Sequence, residues 1–372
     1  MEVKEKKVEL IELFYDLIYV YAVSRMTMLV EEPTGGVLST QQFLRYLVAS
    51  LLVLQAWLYM TNYVNRYGAW TWYEYGLSAV NMMAAVYMAN TISPDWNSMS
   101  AAFNYAMLVM FLSVAVRYAI QMRGPEAGAA RNSLTILGIV CGIYAGSCVL
   151  HALRWNDWVI FLDTAAVLTG AFLPFLLRGN FQSGIISFPH LVERFELLTI
   201  ITFGESIVGM TEYFDVYHFS FQAVLVFSVI LTLFGSYVVQ IHYLMEHHRV
   251  ERSLRLMFSH YGVVISINLV TVTLKLLEQE ETNRLFAAVL MFFALVLFYA
   301  SILWDSAYYK KTYQLEMRDV IQTVGGLAAG AVLTIVLRNN TSGFLLGTAL
   351  STVWGFLLLL RKYRRKASVG QI

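Results

Sequence analysis

Two cysteines, Cys141 and Cys148, are all that the 372 residues contain. They lie seven apart on one predicted helix, about 10 Å along its axis at 1.5 Å per residue, too far to bridge. Neither a disulfide framework nor a zinc site follows, and no other cofactor is implied. Charge is equally scarce. Asp, Glu, Lys and Arg make up 14 % of the chain, against about 25 % in a soluble domain. Apolar residues reach 58 % and the mean hydropathy is +0.59. Such a chain lacks the polar surface to cover itself in water. A net charge of +1 is far from the basic footprint that nucleic-acid phosphates demand. The last apolar run has no central lysine to anchor a retinal, and no Gly-rich phosphate loop, Asp-rich magnesium motif or Ser-His-Asp arrangement is legible. The basic amino terminus lacks a small-residue cleavage site, so it reads as an uncleaved first span.

What is present is apolar length. About twelve runs approach the ~20 residues that cross a bilayer. They cover 9–30, 41–64, 71–92, 100–121, 132–153, 157–177, 189–211, 219–245, 257–277, 285–306, 319–337 and 342–361. One side of these runs holds Lys4, Lys6, Lys7, Arg66, Arg123, Arg131, Arg178, Arg249, Arg252, Arg255, Lys310, Lys311, Arg318 and the tail from Arg361 to Lys366. The other holds Glu31, Glu32, Asp95, Glu212, Asp215 and Glu278 to Glu281, with Arg154, Arg284 and Arg338 among them. By the positive-inside rule both termini are cytoplasmic and the number of spans is even.

A shift of 184 residues superposes several features. Val8-Glu9-x-x-Glu12-Leu13 falls on Val192-Glu193-x-x-Glu196-Leu197, and Gly142-x-x-x-Gly146 falls on Gly326-x-x-x-Gly330. Arg154-x-Asn156 likewise falls on Arg338-x-Asn340. The expectation is an all-α integral membrane protein of about twelve transmembrane helices in two parallel six-helix repeats, residues 1–184 and 185–372.

Charges inside apolar runs are the anomaly, because each costs at least a few kcal/mol near the bilayer centre. The seventh run, from His190 to Met210, carries Glu193, Arg194, Glu196 and Glu205, the last between the small residues Gly204 and Ser206. In the first run Glu9, Glu12 and Asp16 share a helical face and Arg25 lies opposite, placed to snorkel outward. Glu9 suits a helix amino terminus; Asp16 is harder to explain as an end effect. Asp163 sits within the sixth run. His190, one turn from Glu193 and Arg194, suits a proton-linked role. Asn81, Asn90, Asn104 and Asn268 are expected to bond across helices, and Arg117 and Lys275 to snorkel. His242-x-x-x-Glu246-His247-His248 matches neither helical zinc-enzyme spacing and leads into a basic rim.

Glu12-Leu-Phe-Tyr-Asp-Leu-Ile-Tyr-Val-Tyr-Ala22, with His190-x-x-Glu193-Arg194 and Gly204-Glu205-Ser206, resembles the bacterial low temperature requirement protein A (LtrA) family over essentially the whole chain. The resemblance implies a multi-pass protein of the bacterial inner membrane associated with growth in the cold, without implying a reaction. The first run also resembles the first helix of endosomal and lysosomal potassium channels built from two six-helix repeats. Their Phe-Ser-Asp signature is here Phe14-Tyr15-Asp16, and the second half offers Leu198-Thr199-Ile200 in place of a second Phe-x-Asp.

Two functions fit these residues. One is a transporter or channel for a small ion or solute. Its polar path between the halves is lined by Glu205, Asp16, Glu196, Glu193, Arg194, Glu12, Asp163, His190 and Arg25. The other is a lipid-handling protein or membrane enzyme using the same carboxylates as acid and base. Transport is preferred, because no activated nucleophile is evident. The expected partners are membrane lipids and the transported solute; a homo-oligomer is compatible with the sequence.

Overall fold

The structure, a computed structural model, describes residues 5–124, 127–176, 185–251 and 253–367. Lys4, Arg178 and Arg252 of the basic side, and the expected repeat junction at residue 184, lie outside the described residues.

Twelve α-helices occur among the described residues. They are α1 (Leu10–Thr27), α2 (Thr40–Tyr67), α3 (Trp72–Thr91), α4 (Trp96–Gln121), α5 (Ala127–Ala152), α6 (Val159–Leu176), α7 (Phe188–Gly209), α8 (Phe221–Val238), α9 (Leu254–Glu278), α10 (Arg284–Trp304), α11 (Met317–Val336) and α12 (Thr341–Ala367). The described residues form no strand, only the isolated bridges Thr34 to Val37 and Met245 to Tyr309. Ten helical segments are long and apolar enough to cross a membrane. The chain is a multi-pass membrane protein. α3 and α7 fall outside the ten: α7 carries Glu193, Arg194, Glu196 and Glu205 in 22 residues, and α3 mixes Glu74 with tyrosine, tryptophan and asparagine.

Helix faces are inverted relative to a soluble protein. On α1, Leu10, Phe14, Leu17 and Tyr21 form an exposed apolar stripe, while Glu12, Tyr15, Asp16 and Tyr19 are buried. On α10, Leu285, Val289, Phe293 and Val296 do the same. Stripes of this size call for lipid, and the polar groups turn inward because only protein can satisfy them.

Internal contacts divide the chain into two compact units. The first comprises Met1–Val30, Thr40–Leu198 and His248–Ser253; the second comprises Glu31–Ser39, Thr199–His247 and Leu254–Ile372. The boundary falls inside α7.

In the first unit α3 packs on α4, α4 on α5 and α5 on α6, while α2 touches both α4 and α6 and α1 lies along α3. The end of α2 is closed by Lys6, whose ammonium donates to the carbonyls of Val64 and, at 2.9 Å, Gly68. A cation among the last carbonyls of a helix suits both their lone pairs and the macrodipole. α3 starts where Glu74 turns back on Thr71, accepting from its backbone N–H at 2.8 Å and from Ala69 N–H at 3.2 Å. Tyr63 of α2 donates to the other carboxylate oxygen at 3.0 Å. Arg117 does not snorkel. It is fully buried, donates to Glu74 O at 2.8 Å and Ser78 Oγ at 2.6 Å, and lies over the Tyr63 ring at 5.4 Å. A carbonyl, a hydroxyl and an aromatic face together hold the guanidinium inside. Asn81 does bond across helices, accepting from Tyr15 on α1 and donating to Met110 O and Ser113 on α4.

In the second unit α9 packs on α10, α11 on α12, and α8 against α12. α9 is almost wholly buried. Its Asn268 departs from expectation: the side chain is buried, yet neither amide atom has a hydrogen-bond partner among the described residues. Lys275 does not snorkel freely either; it pairs with Glu31 at 2.8 Å. α10 is capped by Asn283, which accepts from Leu285 and Phe286 N–H. Its own N–H donates to Gly36 O at 2.9 Å. Gly36 has φ +78°, and a Cβ there would lie 2.4 Å from Glu281 O. Gly36→Ala is therefore expected to cost about 1–3 kcal/mol, read as a lower melting temperature in detergent.

The two Gly-x-x-x-Gly motifs behave differently. A Cβ at Gly142 would meet nothing, and one at Gly146 only Leu162 at 3.6 Å. At Gly326 and Gly330 it would collide with Trp354 and Ser351 of α12. Of the two motifs, only the second serves close helix approach.

Candidate functional site

The first unit holds a buried cluster of charges built on two four-residue intervals. Glu12 and Asp16 are one turn apart on α1; His190 and Arg194 are one turn apart on α7. Residues four apart share a helix face, so each pair presents two groups to the other helix. Glu12 lies opposite His190, with Oε2 3.0 Å from His190 Nε2. Asp16 lies opposite Arg194 and accepts two bonds from it, Nε to Oδ2 at 3.0 Å and Nη2 to Oδ1 at 2.6 Å. Arg194 Nη1 also reaches Glu12 Oε2 at 2.5 Å. One guanidinium thus holds both carboxylates, with the fork geometry that makes such bonds strong.

Two residues of α2 complete the cluster. The Trp57 indole N–H donates to Asp16 Oδ1 at 2.7 Å, and its ring lies 5.5 Å from the Arg194 guanidinium. Asn65 holds the amino terminus of α7 by both ends of its amide. It donates to Ser187 O at 2.8 Å and accepts from Ser187 N–H at 3.1 Å. The same amide nitrogen is 3.0 Å from His190 Nδ1. An Asn65 N–H directed at Nδ1 leaves the imidazole proton on Nε2, facing Glu12. Glu12, Asp16, His190 and Arg194 are all at most 2 % exposed. The cluster counts two carboxylates, one permanent cation and one neutral imidazole; a second proton, on His190 Nδ1, would balance it and would break the Asn65 contact. Asn65→Ala is expected to cost about 1–3 kcal/mol by leaving Ser187 N–H unpaired, read from the unfolding midpoint in detergent. An unchanged midpoint would deny the clamp its role.

Another buried carboxylate, Asp163 on α6, accepts from Asn104 Nδ2 of α4 and Ser147 Oγ of α5, each at 3.3 Å. The remaining candidates lie elsewhere. Glu193 is exposed and Glu196 is half-buried on α7. Arg25 donates to Ile92 O at 2.8 Å from the far end of α1. Glu205 belongs to the second unit, in the last turn or so of α7, with its carboxylate 3.8 Å from Lys275 Nζ. In the histidine-rich stretch, His247 gives Nε2 to Ile241 O at 2.7 Å, and burial holds its pKa below the usual value.

Trp57 and Asn65 did not stand out in the sequence. Trp57 carried one usable signal: it sits ten residues inside α2, away from the interfacial level where tryptophan gathers, and so needs a buried acceptor. Asn65 carried none, since its partner is a backbone 122 residues away.

A family model, described as the bacterial low temperature requirement A protein (LtrA), matches residues 7–358. That match covers both intervals of the cluster, Asp163 and Glu205. No protein of curated function matches the chain.

Proposed function

The chain belongs to the LtrA family, and from that premise we propose that it carries a small ion or solute across a bacterial cytoplasmic membrane. The observation that carries the reading is the burial of Glu12, Asp16, His190 and Arg194 within a multi-pass bundle. Ionisable groups at such depth are costly to keep and are typical of ion and proton pathways. The imbalance of two carboxylates against one guanidinium makes His190 the group through which a proton would enter. Asp163, Glu196 and Glu205 are the further intramembrane carboxylates of this reading, with Glu193 and Arg25 at its margins.

The proposal includes two parallel six-helix repeats with cytoplasmic termini. Two observations support it. Glu12 and Asp16 face His190 and Arg194 in the same order, so α1 and the start of α7 run in the same direction. Packing within the units also corresponds under a shift of six helices: α3 on α4, α5 on α6 and α2 with α6 match α9 on α10, α11 on α12 and α8 with α12. The unequal use of the glycine motifs limits the likeness to architecture.

Flux in proteoliposomes, with potassium, sodium and proton gradients imposed separately, tests the proposal. Flux above that of empty liposomes supports it. Absence of flux under all three gradients, together with a lipid that co-purifies and is lost in Glu12→Gln, would move the reading to lipid handling.

A further inference from the structure

We infer that Asp163, Asn104, Ser147 and Tyr144 form a binding site for one desolvated monovalent metal cation. The site deepens the transport reading, which it needs only to say what a bound cation is for; binding stands on the geometry alone.

The three polar groups that touch come from three helices at one level. Asn104 is six residues into its candidate span Ser98–Gln121, and Asp163 is seven residues into Asn156–Pro174. Ser147 is five residues before the end of Ala127–Ala152. At 1.5 Å per residue all three lie about 8–10 Å from the helix ends that share one side. Each is fully buried.

The Asp163 carboxylate is poorly satisfied there. Its two neutral donors stand at 3.3 Å, whereas a hydroxyl on a carboxylate normally closes to about 2.5–2.7 Å. No cationic side chain lies within 4.0 Å of it among the described residues. An ionised carboxylate in apolar surroundings needs a countercharge.

Two unused oxygens lie on the helices that supply its donors, α4 and α5. Asn104 Oδ1 has no hydrogen-bond partner among the described residues, although its amide nitrogen is bound to Asp163. The Tyr144 hydroxyl, on the face of α5 one turn before Ser147, is also buried without a partner among the described residues. A half-turn of the Asn104 amide would place its oxygen where the nitrogen stands, 3.3 Å from Asp163 Oδ2. Two oxygens at that spacing can both reach a calcium-sized ion, whose bonds run at about 2.3–2.6 Å, and sodium is of similar size. One carboxylate with neutral oxygens balances a single charge. A set of hard oxygens also disfavours the softer transition metals.

The test uses the purified full chain in detergent, with sodium chloride replacing choline chloride at constant ionic strength. Melting temperature and calorimetric titration are read for wild type, Asp163→Asn, Asn104→Ala, Ser147→Ala and the exposed control Asp157→Asn. A saturable sodium-dependent rise is expected in wild type and in Asp157→Asn. It should vanish in Asp163→Asn and need at least tenfold more sodium in Asn104→Ala. If Asp163→Asn does not fold, Asn104→Ala and Ser147→Ala decide the matter by that shift. A wild type indifferent to sodium, potassium and lithium overturns the inference. So does a response that survives in Asp163→Asn, or stabilisation by acid alone, which would assign Asp163 a proton. No gradient is involved, so intact binding without flux retires only the transport reading, and flux without binding retires only this site.

Discussion

Arg194→Ala is expected to destabilise the protein by about 3–5 kcal/mol, the usual consequence of removing one partner from a buried ion pair. Three charged hydrogen bonds to Glu12 and Asp16 disappear together. Both carboxylates then stay buried with no permanent cation beside them: Trp57 N–H remains on Asp16, and Glu9 N–H at 3.4 Å and His190 Nε2 at 3.0 Å remain beside Glu12. The sharper expectation is non-additivity. Asp16→Asn in the Arg194→Ala background should recover part of the loss, because it removes one of the stranded charges. Unfolding midpoints of the two single variants and the double variant measure this. Independent, additive losses would mean that the cluster is not a unit.

Gly347→Leu should be comparably disruptive, and for steric reasons alone. A Cβ at Gly347 would stand 2.7 Å from the backbone nitrogen of Thr334 and 3.1 Å from Gly330 O. Backbone cannot rotate away as a side chain can, so α11 and α12 must separate. Overpacking of this kind costs typically 1–3 kcal/mol, and a leucine side chain where even a methyl collides belongs at or above the top of that range. Gly142→Leu, in the first Gly-x-x-x-Gly motif, should cost far less because nothing lies within 4 Å of its Cβ. Thermal unfolding of the two variants side by side reads the difference directly.

That contrast shows where sequence reading stops. Helix places were legible because apolar runs of bilayer length tolerate few alternatives, and the observed helices fall close to the expected runs, although ten segments rather than about twelve are long and apolar enough to cross a membrane among the described residues. Asp16 and Arg194 were legible because charge inside such runs is costly enough to need a reason. Which charge meets which was not. Helix faces could be drawn for α1 and α7 separately, but the pairing of Asp16 with Arg194 across 178 residues is set by tertiary packing. Glu205 looked the most deeply placed of the carboxylates from its small neighbours. α7 ends only four residues beyond it, and Lys275 stands nearby. Arg117 and Lys275 looked like snorkelling cations because local sequence does not reveal a carbonyl, a ring or a carboxylate waiting on another helix. The glycine motifs were identical on paper, yet only one pair meets a neighbouring helix closely.

The most direct test of the central claim is the pH dependence of flux in proteoliposomes, compared between wild type and His190→Gln. Glutamine keeps a hydrogen-bonding side chain between Asn65 and Glu12 but cannot carry the balancing proton. Wild-type flux is expected to change with pH. His190→Gln, folded by its melting curve, should lose that dependence or lose flux altogether. Wild-type and variant fluxes with the same pH profile would remove His190 and its carboxylates from the transport step and leave the cluster a purely structural lock.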